Sequence, residues 1–485
     1  MRLSLFNGHP MMYRVISLAL ATGLSACGGG GGGGSGGGGG DSTAATTTAT
    51  PTSAYPPSST LANVCTVEGE KKFIRSYLDE KYLWYSEIPA VDASAYTNVV
   101  SYFNALLVTT PDASNLPKDQ FSYAIPTADA DSQSTGVNVG YGVEWARDAQ
   151  NRLRVAQIMP GSPAAAAGMA RGGHMVQVIS YNVNSWYPNT VGAFVQFYYA
   201  DAPGASQRVV RLDARTVQDE PVPLTSTVTS PSGKRAGYIV FTAHSEGAQD
   251  KLITAARSLQ GSGVTELVLD MRYNSGGYLY VASTLAAMVT GPQSDGKVFE
   301  ALRYSDKRTA ETADNIYRFA SKVETAEAVY QVDHVLPRLN LKRVYVLTSN
   351  DTCSASESVI NGLRGVDVEV VLIGKSTCGK PYGFTRKDNC ALSYFPIEFQ
   401  GTNHKGFGEY SAGFAPTCAG TDDLDHALGQ SNEGLLSSAL YHLDHGSCAP
   451  VSAKMQPLTV HSLTESSPLS TQRLQLGRLL RPSAP

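Results

Sequence analysis

The sequence predicts an α/β chain of several domains, and three observations predict it. Across 231–450, apolar runs of strand length alternate with amphipathic helical stretches, the pattern of a sheet with helices packed on it. Across 135–230, short β-rich runs are punctuated by glycine, which marks a small β-rich domain. Across 61–134, apolar residues such as Phe73, Ile74, Tyr77 and Leu78 recur at helical spacing, which marks a helical segment.

The chain opens as an export signal, 1–26. Arg14 gives a positive flank, and Val15 to Leu20 is an apolar core too short to span a bilayer. Translation can be read from Met1, Met11 or Met12. Leu24-Ser25-Ala26-Cys27 resembles a bacterial lipobox, which implies that Cys27 becomes a lipidated N-terminus. The alternative is a plain secretory signal with a chance cysteine. Gly28 follows Cys27 where sorting signals for the inner membrane carry aspartate; the resemblance therefore implies a chain anchored at the outer membrane, facing the periplasm. Residues 27–60 are Gly-, Ser- and Thr-rich, a composition that buries little apolar surface and reads as a tether.

The remaining body is large enough for two or three cores. Net charge is −4 with no basic run, which argues against nucleic acid as a partner. With Cys27 assigned to lipid, six of the seven cysteines remain, an even number suited to disulfides in an exported chain. No His/Cys spacing suggests zinc, and no metal or cofactor is expected.

Lys71–Trp84 and Val99–Val108 read as helices of the 61–134 segment, with Tyr82 to Tyr85 as core. In 135–230, Pro160-Gly161-Ser162-Pro163 leads a short alanine helix with Ser162 as cap and Pro163 at its first position. With Gly168-Met169 after it, this block resembles the PDZ pattern of bacterial proteases. The resemblance implies that Tyr141, Gly142 and Val143 form a carboxylate-binding loop for a substrate C-terminus. A small β domain that only packs is the other reading.

In 231–450, Gly237–Phe241 and Leu267–Arg272 read as strands, with a helix over Gln249–Leu259 between them. Val344–Leu347 and Val368–Ile373 are further strands. Between these two comes a polar loop with Ser354, then a helix carrying Val359, Ile360 and Leu363; Lys380 follows in a Gly-bounded loop. A serine at a helix start and a lysine returned beside it are the parts of a Ser-Lys nucleophile pair. Read alone, Ser354 and Glu357 are also a capping box, and Lys380 is also a surface lysine.

Two blocks, Leu267–Gly277 (LVLDMRYNSGG) and Cys353–Glu357 with Gly374–Lys380 (CSASE, GKSTCGK), resemble the carboxyl-terminal processing, or tail-specific, proteases. The resemblance covers about Gly136 to Gly383. It implies a ClpP/crotonase-like α/β protease core, Ser354 as nucleophile and Lys380 as general base. It also implies oxyanion donors from the Ala355 amide and from Gly276 or Gly277, with Arg272 and Glu357 supporting the site. A lysine acts as base only when neutral, a form that burial without a carboxylate partner favours. The Ser354–Lys380 interval is one residue longer than in the family, which leaves Asp367 a candidate for the family's acidic residue. Ser349, Ser356 and Ser358 are rival nucleophiles, and His244, His404 and His426 could serve a Ser-His-Asp triad.

Cys353 and Cys378, beside the proposed nucleophile and base, are placed to staple the two loops; Cys390 and Cys418 could close the insertion from Asp388 to Asp423. That insertion and 291–336 could rim the cleft, and 451–485 reads as a loosely attached tail. The implied function is a serine endopeptidase cutting near the C-terminal tails of exported polypeptides. The alternatives are a non-catalytic PDZ-type peptide-binding lipoprotein and a general hydrolase scavenging peptides or esters.

Overall fold

The computed structural model describes residues 54–183 and 185–450, and the backbone of 478–479. The expected signal peptide, Cys27, most of the tether and nearly all of the expected tail lie outside the described residues. No helix among the described residues is long and apolar enough to cross a membrane.

A six-stranded sheet organises the C-terminal body, in the order Cys418–Ala419, Glu369–Gly374, Arg343–Thr348, Glu266–Asp270, Arg235–Val240, Leu224–Thr229. All neighbours are parallel except the last pair. The central strands are near-continuous apolar runs because both faces are covered. Val344, Val346, Leu267 and Leu269 pack with helices Ala248–Gly261, Leu279–Val289 and Ala355–Gly365. Tyr345, Leu347 and Val268 alternate to the other face, against Leu436 and Leu440 of helix Gly434–His445.

The helical segment is built into this body. Thr66 caps helix Val67–Lys81 by accepting the Gly69 N–H at 3.1 Å, and Phe73, Ile74 and Leu78 are fully buried. These side chains share one core with Phe384, Tyr394 and Leu252 of the C-terminal body. Strand Tyr123–Pro126 pairs antiparallel with Leu392–Phe395, and a Cys65–Cys390 disulfide adds a covalent link. The first helix starts and ends earlier than expected, at Val67 and Lys81, and the second is shorter, Val99–Ala105. The aromatic run to Trp84 leaves the helix because Tyr82 turns extended and buries its ring, with its hydroxyl donating to Asp119 at 2.6 Å. Order also begins before the expected end of the tether. Ser58–Leu61 is a helical turn, held by the Ser58 N–H and hydroxyl donating to Glu80 at 2.7 and 2.6 Å.

The β-rich part is an antiparallel sheet in the order Val143–Arg147, Leu153–Ile158, His174–Tyr181, Phe194–Ala200, Gln207–Asp213. Trp145, Phe197, Tyr199 and Leu212 fill a core of its own. The helix Pro163–Ala166 starts as its sequence predicts, with Ser162 Oγ accepting the Ala165 N–H at 3.2 Å.

The insertion after Asp388 is not closed on itself. Cys390 pairs with Cys65 and Cys418 with Cys448, so each ties the insertion to a terminal part of the body. Its Phe399–Thr402 strand lies between Val298–Tyr304 and Tyr382–Phe384 in a second sheet, which also takes Ile316–Arg318 and Arg478–Leu479.

Candidate active site

Four neighbouring strands of the main sheet run parallel, so their carboxyl ends lie on one edge, where open α/β sheets place their ligand sites. The chain leaving Val240 carries His244; that leaving Asp270 carries Asn274 to Gly277; that leaving Thr348 carries Ser354; that leaving Gly374 carries Lys380. Parallel pairing thus gathers residues up to 136 positions apart in sequence.

Ser354 stands at the N-cap of helix Ala355–Gly365 with φ 56° and ψ −116°, a conformation that non-glycine residues rarely hold and that costs on the order of 1–3 kcal/mol. Its side chain is fully buried and faces the Glu357 N–H as the cap of a capping box, and Oγ donates to no partner among the described residues. The rival serines are engaged. Ser356 Oγ donates to Asn274 O at 3.0 Å, Ser358 Oγ to Ser354 O at 3.3 Å and Ser349 Oγ to Arg272 O. His404 is exposed, and His426 pairs with Asp423 at 2.7 Å, so neither serves Ser354.

Glu357, one turn into the helix, joins the serine loop to the lysine loop. One carboxylate oxygen, Oε2, accepts both the Ser354 N–H at 2.9 Å and the Lys380 N–H at 2.8 Å. The other, Oε1, accepts the Gly379 N–H at 2.9 Å and the Thr377 hydroxyl at 2.6 Å. Burial pushes the carboxyl up from its ordinary range, against the pull of these hydrogen bonds. A Cys353–Cys378 disulfide joins the same two loops covalently. Cys353, Glu357 and Cys378 lie together, but both sulfurs are held in that disulfide, which removes them as metal ligands. Asp367, expected as a candidate for the acidic residue, is elsewhere: it sits exposed in the turn after the helix, at φ 65°, ion-paired to Lys405 at 2.5 Å. The acid at the site is the helix's own Glu357.

Lys380 is fully buried, with Nζ 4.4 Å from the Phe384 ring centroid and 5.1 Å from that of Phe121. Residues 411–414 of the insertion pack onto its loop, closely enough that a Cβ on Gly379 would meet Ser411 O at 2.1 Å. The insertion therefore covers the base loop directly.

The Gly276–Gly277 ribbon separates Ser354 from His244. Both glycines have positive φ, 109° and 134°. A Cβ on Gly276 would lie 2.9 Å from Ser354 Cβ, and one on Gly277 would lie 2.4 Å from His244 O. No side chain fits at either place. Asn274 shapes the turn: its Oδ1 accepts the Gly276 N–H at 3.0 Å and its Nδ2 donates to Phe241 O at 3.1 Å. With the Gly276 N–H so engaged, the Gly277 and Ala355 amides are the backbone donors available for an oxyanion beside Ser354. Sequence reasoning gave Asn274 and His244 no supporting role. Asn274 was legible as the polar residue of the glycine block; His244 had no motif around it. Gly277→Ala is expected to lower hydrolysis by roughly 10²–10³ through a displaced donor, and to lower Tm. Parallel kcat and thermal melts check this.

Behind the ribbon lies a buried charge network. Arg272 donates to Asp270 at 2.9 and 2.8 Å, to Glu433 at 2.6 and 3.1 Å and to Asp422 at 2.7 Å. Arg171 of the β-rich part reaches the same Asp422 at 2.5 Å and donates to the Tyr273 hydroxyl at 2.6 Å. Burial alone would raise the Asp422 carboxyl; Arg171 and Arg272 beside it hold it well below the usual carboxylate range. A depressed folded-state pKa contributes stability above the unfolded value that is lost as pH falls. Asp422→Asn is therefore expected to lower Tm at pH 7, with the gap to wild type narrowing below about pH 4. Paired melts across pH check this.

The proposed carboxylate loop is tightly packed. Tyr141 is buried and its carbonyl accepts the Ala164 N–H at 3.0 Å; Gly142 O accepts the Met159 N–H at 2.9 Å. Val143 begins the edge strand of the five-stranded sheet, whose outer side is unpaired within that sheet.

Residues 235–388 match the family model described as peptidase family S41, and residues 69–123 match that of the peptidase S41 N-terminal domain. Among solved structures, the chain is similar to a Bacteroides fragilis protein assigned as an S41 protease, with 26% identity and a TM-score of 0.61 over 77% of this chain and 97% of that one. A more distant likeness is to the photosystem II D1 C-terminal processing protease, at 18% identity and a TM-score of 0.46, covering 74% of this chain and 94% of that one. No curated protein sequence matches the chain.

Proposed function

Since residues 235–388 are a peptidase family S41 domain and 69–123 a peptidase S41 N-terminal domain, we propose that the chain is a serine endopeptidase that works through Ser354 and Lys380 on the C-terminal tails of exported proteins. The observation that carries this reading is the shared carboxylate oxygen. Glu357 Oε2 takes the backbone N–H of both Ser354 and Lys380, so the nucleophile and the base are held by one atom.

Lys380 Nζ, in its neutral form, takes the hydroxyl proton as Ser354 Oγ attacks the scissile carbonyl carbon. The carbonyl oxygen becomes an oxyanion beside the Gly277 and Ala355 amides, at the positive end of helix Ala355–Gly365. The C–N bond breaks, the leaving amine receives the proton from Lys380, and an acyl-serine remains. Water then adds to the acyl carbon as Lys380 accepts its proton, and the Ser354–acyl bond breaks to release the carboxylic acid and regenerate the hydroxyl. Ser354 and Lys380 are both fully buried, so the segments that cover them must part before a peptide can reach Oγ.

The β-rich part 135–230 is read as PDZ-like. Its edge strand Val143–Arg147 would take a peptide tail as an added strand, with Tyr141 to Val143 at the carboxylate. The lipobox at Cys27 would hold the body at the outer membrane, facing the periplasm. The test uses soluble protein from Ser58 onward with its disulfides formed. Cleavage of an unfolded protein that is lost in Ser354→Ala, and weakened when the substrate's C-terminal tail is made charged, supports the reading. Cleavage that persists in Ser354→Ala removes it. Tight binding of the tail by folded protein that never cleaves favours the peptide-binding alternative.

A further inference from the structure

Tyr382–Phe384, the strand that begins two residues after Lys380, has two edges. One is paired antiparallel with Phe399–Thr402. On that side Gly383 O accepts the Glu398 N–H at 2.8 Å, and Pro381 O accepts the Gly401 N–H at 2.9 Å. The N–H and C=O groups of an extended run point alternately to its two edges, so those of Tyr382 and Phe384, and of Lys380 just before them, point the other way. Lys380 shows what lies there. Its N–H donates to Glu357 Oε2, the oxygen that also accepts the Ser354 N–H. The outer edge of the strand is therefore the one turned towards the nucleophile's loop.

The chain itself occupies that edge. Arg478–Leu479 pairs parallel with it as the outermost strand of the sheet, Arg478 opposite Gly383 and Leu479 opposite Phe384. An open sheet edge takes an extended peptide as an added strand through its main-chain groups, whatever the side chains. In this register, the residue three before the one opposite Gly383 comes opposite Lys380, about 10 Å back along the strand. A polypeptide added here is thus led to the base and, across Glu357, to the nucleophile.

We infer that Arg478–Leu479 is a built-in competitor of substrate: the outer edge of Tyr382–Phe384 takes the backbone of the polypeptide to be cut, and the chain's own segment holds that edge until a substrate displaces it. The inference rests on the Ser354–Lys380 reading. The other edge is committed to Phe399–Thr402, so the segment and a substrate strand exclude each other. A competitor tethered to the enzyme acts at an effective concentration of about millimolar. It raises the apparent KM of a substrate by the fraction of enzyme whose edge it covers and leaves kcat alone.

The test uses the chain from Ser58 to Pro485 with its disulfides. Arg478→Pro with Leu479→Pro removes the segment's N–H donors and breaks its strand. This variant is expected to lower KM for an unfolded protein by about tenfold with kcat little changed. Arg478→Asp with Leu479→Asp keeps every backbone donor but disfavours a strand, and is expected to shift KM the same way by a smaller factor. A synthetic peptide of residues 471–485, added to the proline variant, is expected to restore the higher KM as a competitive inhibitor; the same peptide carrying the two prolines is not. A wild-type KM in both variants overturns the inference. So does inhibition by the proline peptide equal to that by the native one. Binding of the unfolded protein to Ser354→Ala separates this from the fate of the nucleophile. If wild type cleaves nothing, a Kd that falls about tenfold when the prolines are added to Ser354→Ala upholds the competitor, and an unchanged Kd overturns it.

Discussion

Lys380→Met is expected to abolish turnover, lowering kcat by roughly 10⁴ or more, while the fold survives. A serine hydroxyl is a weak nucleophile until a base takes its proton, and losing the central base of a serine dyad or triad has effects of that order. The described residues offer no obvious substitute. His244 has its Nδ1 on Asn274 and lies on the other side of the glycine ribbon, His404 is exposed and His426 pairs with Asp423. Methionine suits the site because the end of the Lys380 side chain lies against the Phe121 and Phe384 rings, where an apolar chain of similar length fits. Steady-state kinetics on an unfolded protein, with melts to show an unchanged Tm, check this. Turnover within tenfold of wild type would remove Lys380 from the mechanism.

Glu357→Ala is expected to damage stability and activity together. The carboxylate accepts the N–H groups of Ser354, Gly379 and Lys380 and the Thr377 hydroxyl, all inside the protein. Alanine leaves three backbone donors buried without an acceptor, each worth roughly 1–3 kcal/mol. A total loss above about 4 kcal/mol places the change among the most damaging single substitutions. The Cys353–Cys378 disulfide would still join the loops, but it fixes the residue before Ser354 and a residue two before Lys380, not the reacting residues themselves. Activity should therefore fall even at temperatures where the variant is folded. Glu357→Gln, which keeps one acceptor oxygen, should fall between wild type and alanine in both measurements. Chemical unfolding and kcat on the three proteins check this.

Much of the site is legible in the amino-acid sequence because its parts are local. The strand Glu266–Asp270 carries the apolar run Leu267 to Leu269 and leads into Asn274-Ser275-Gly276-Gly277, and the reason for the glycines is steric: neither position admits a Cβ. Ser354 and Glu357 are one helical turn apart, so their relation as cap and partner needs no long-range contact. The Cys353–Cys378 pairing followed from the placement of each sulfur beside a proposed catalytic residue. The other pairings did not follow, since Cys390 joins Cys65 across 325 positions and no local pattern reports such a contact.

By itself, then, the sequence determined the alternation of strands and helices, the serine at a helix start, the two glycines and the lysine loop, because each is set by periodicity, backbone conformation or a contact within one turn. Only the tertiary structure decided which acid joins the serine and lysine loops, which serine hydroxyl donates to no partner among the described residues, and that a histidine backs the glycine ribbon. It also decided that the N-terminal helices share the core of the C-terminal body. These depend on which strands lie side by side in a parallel sheet, and that order arises from burial summed over both faces, which no short stretch of chain records.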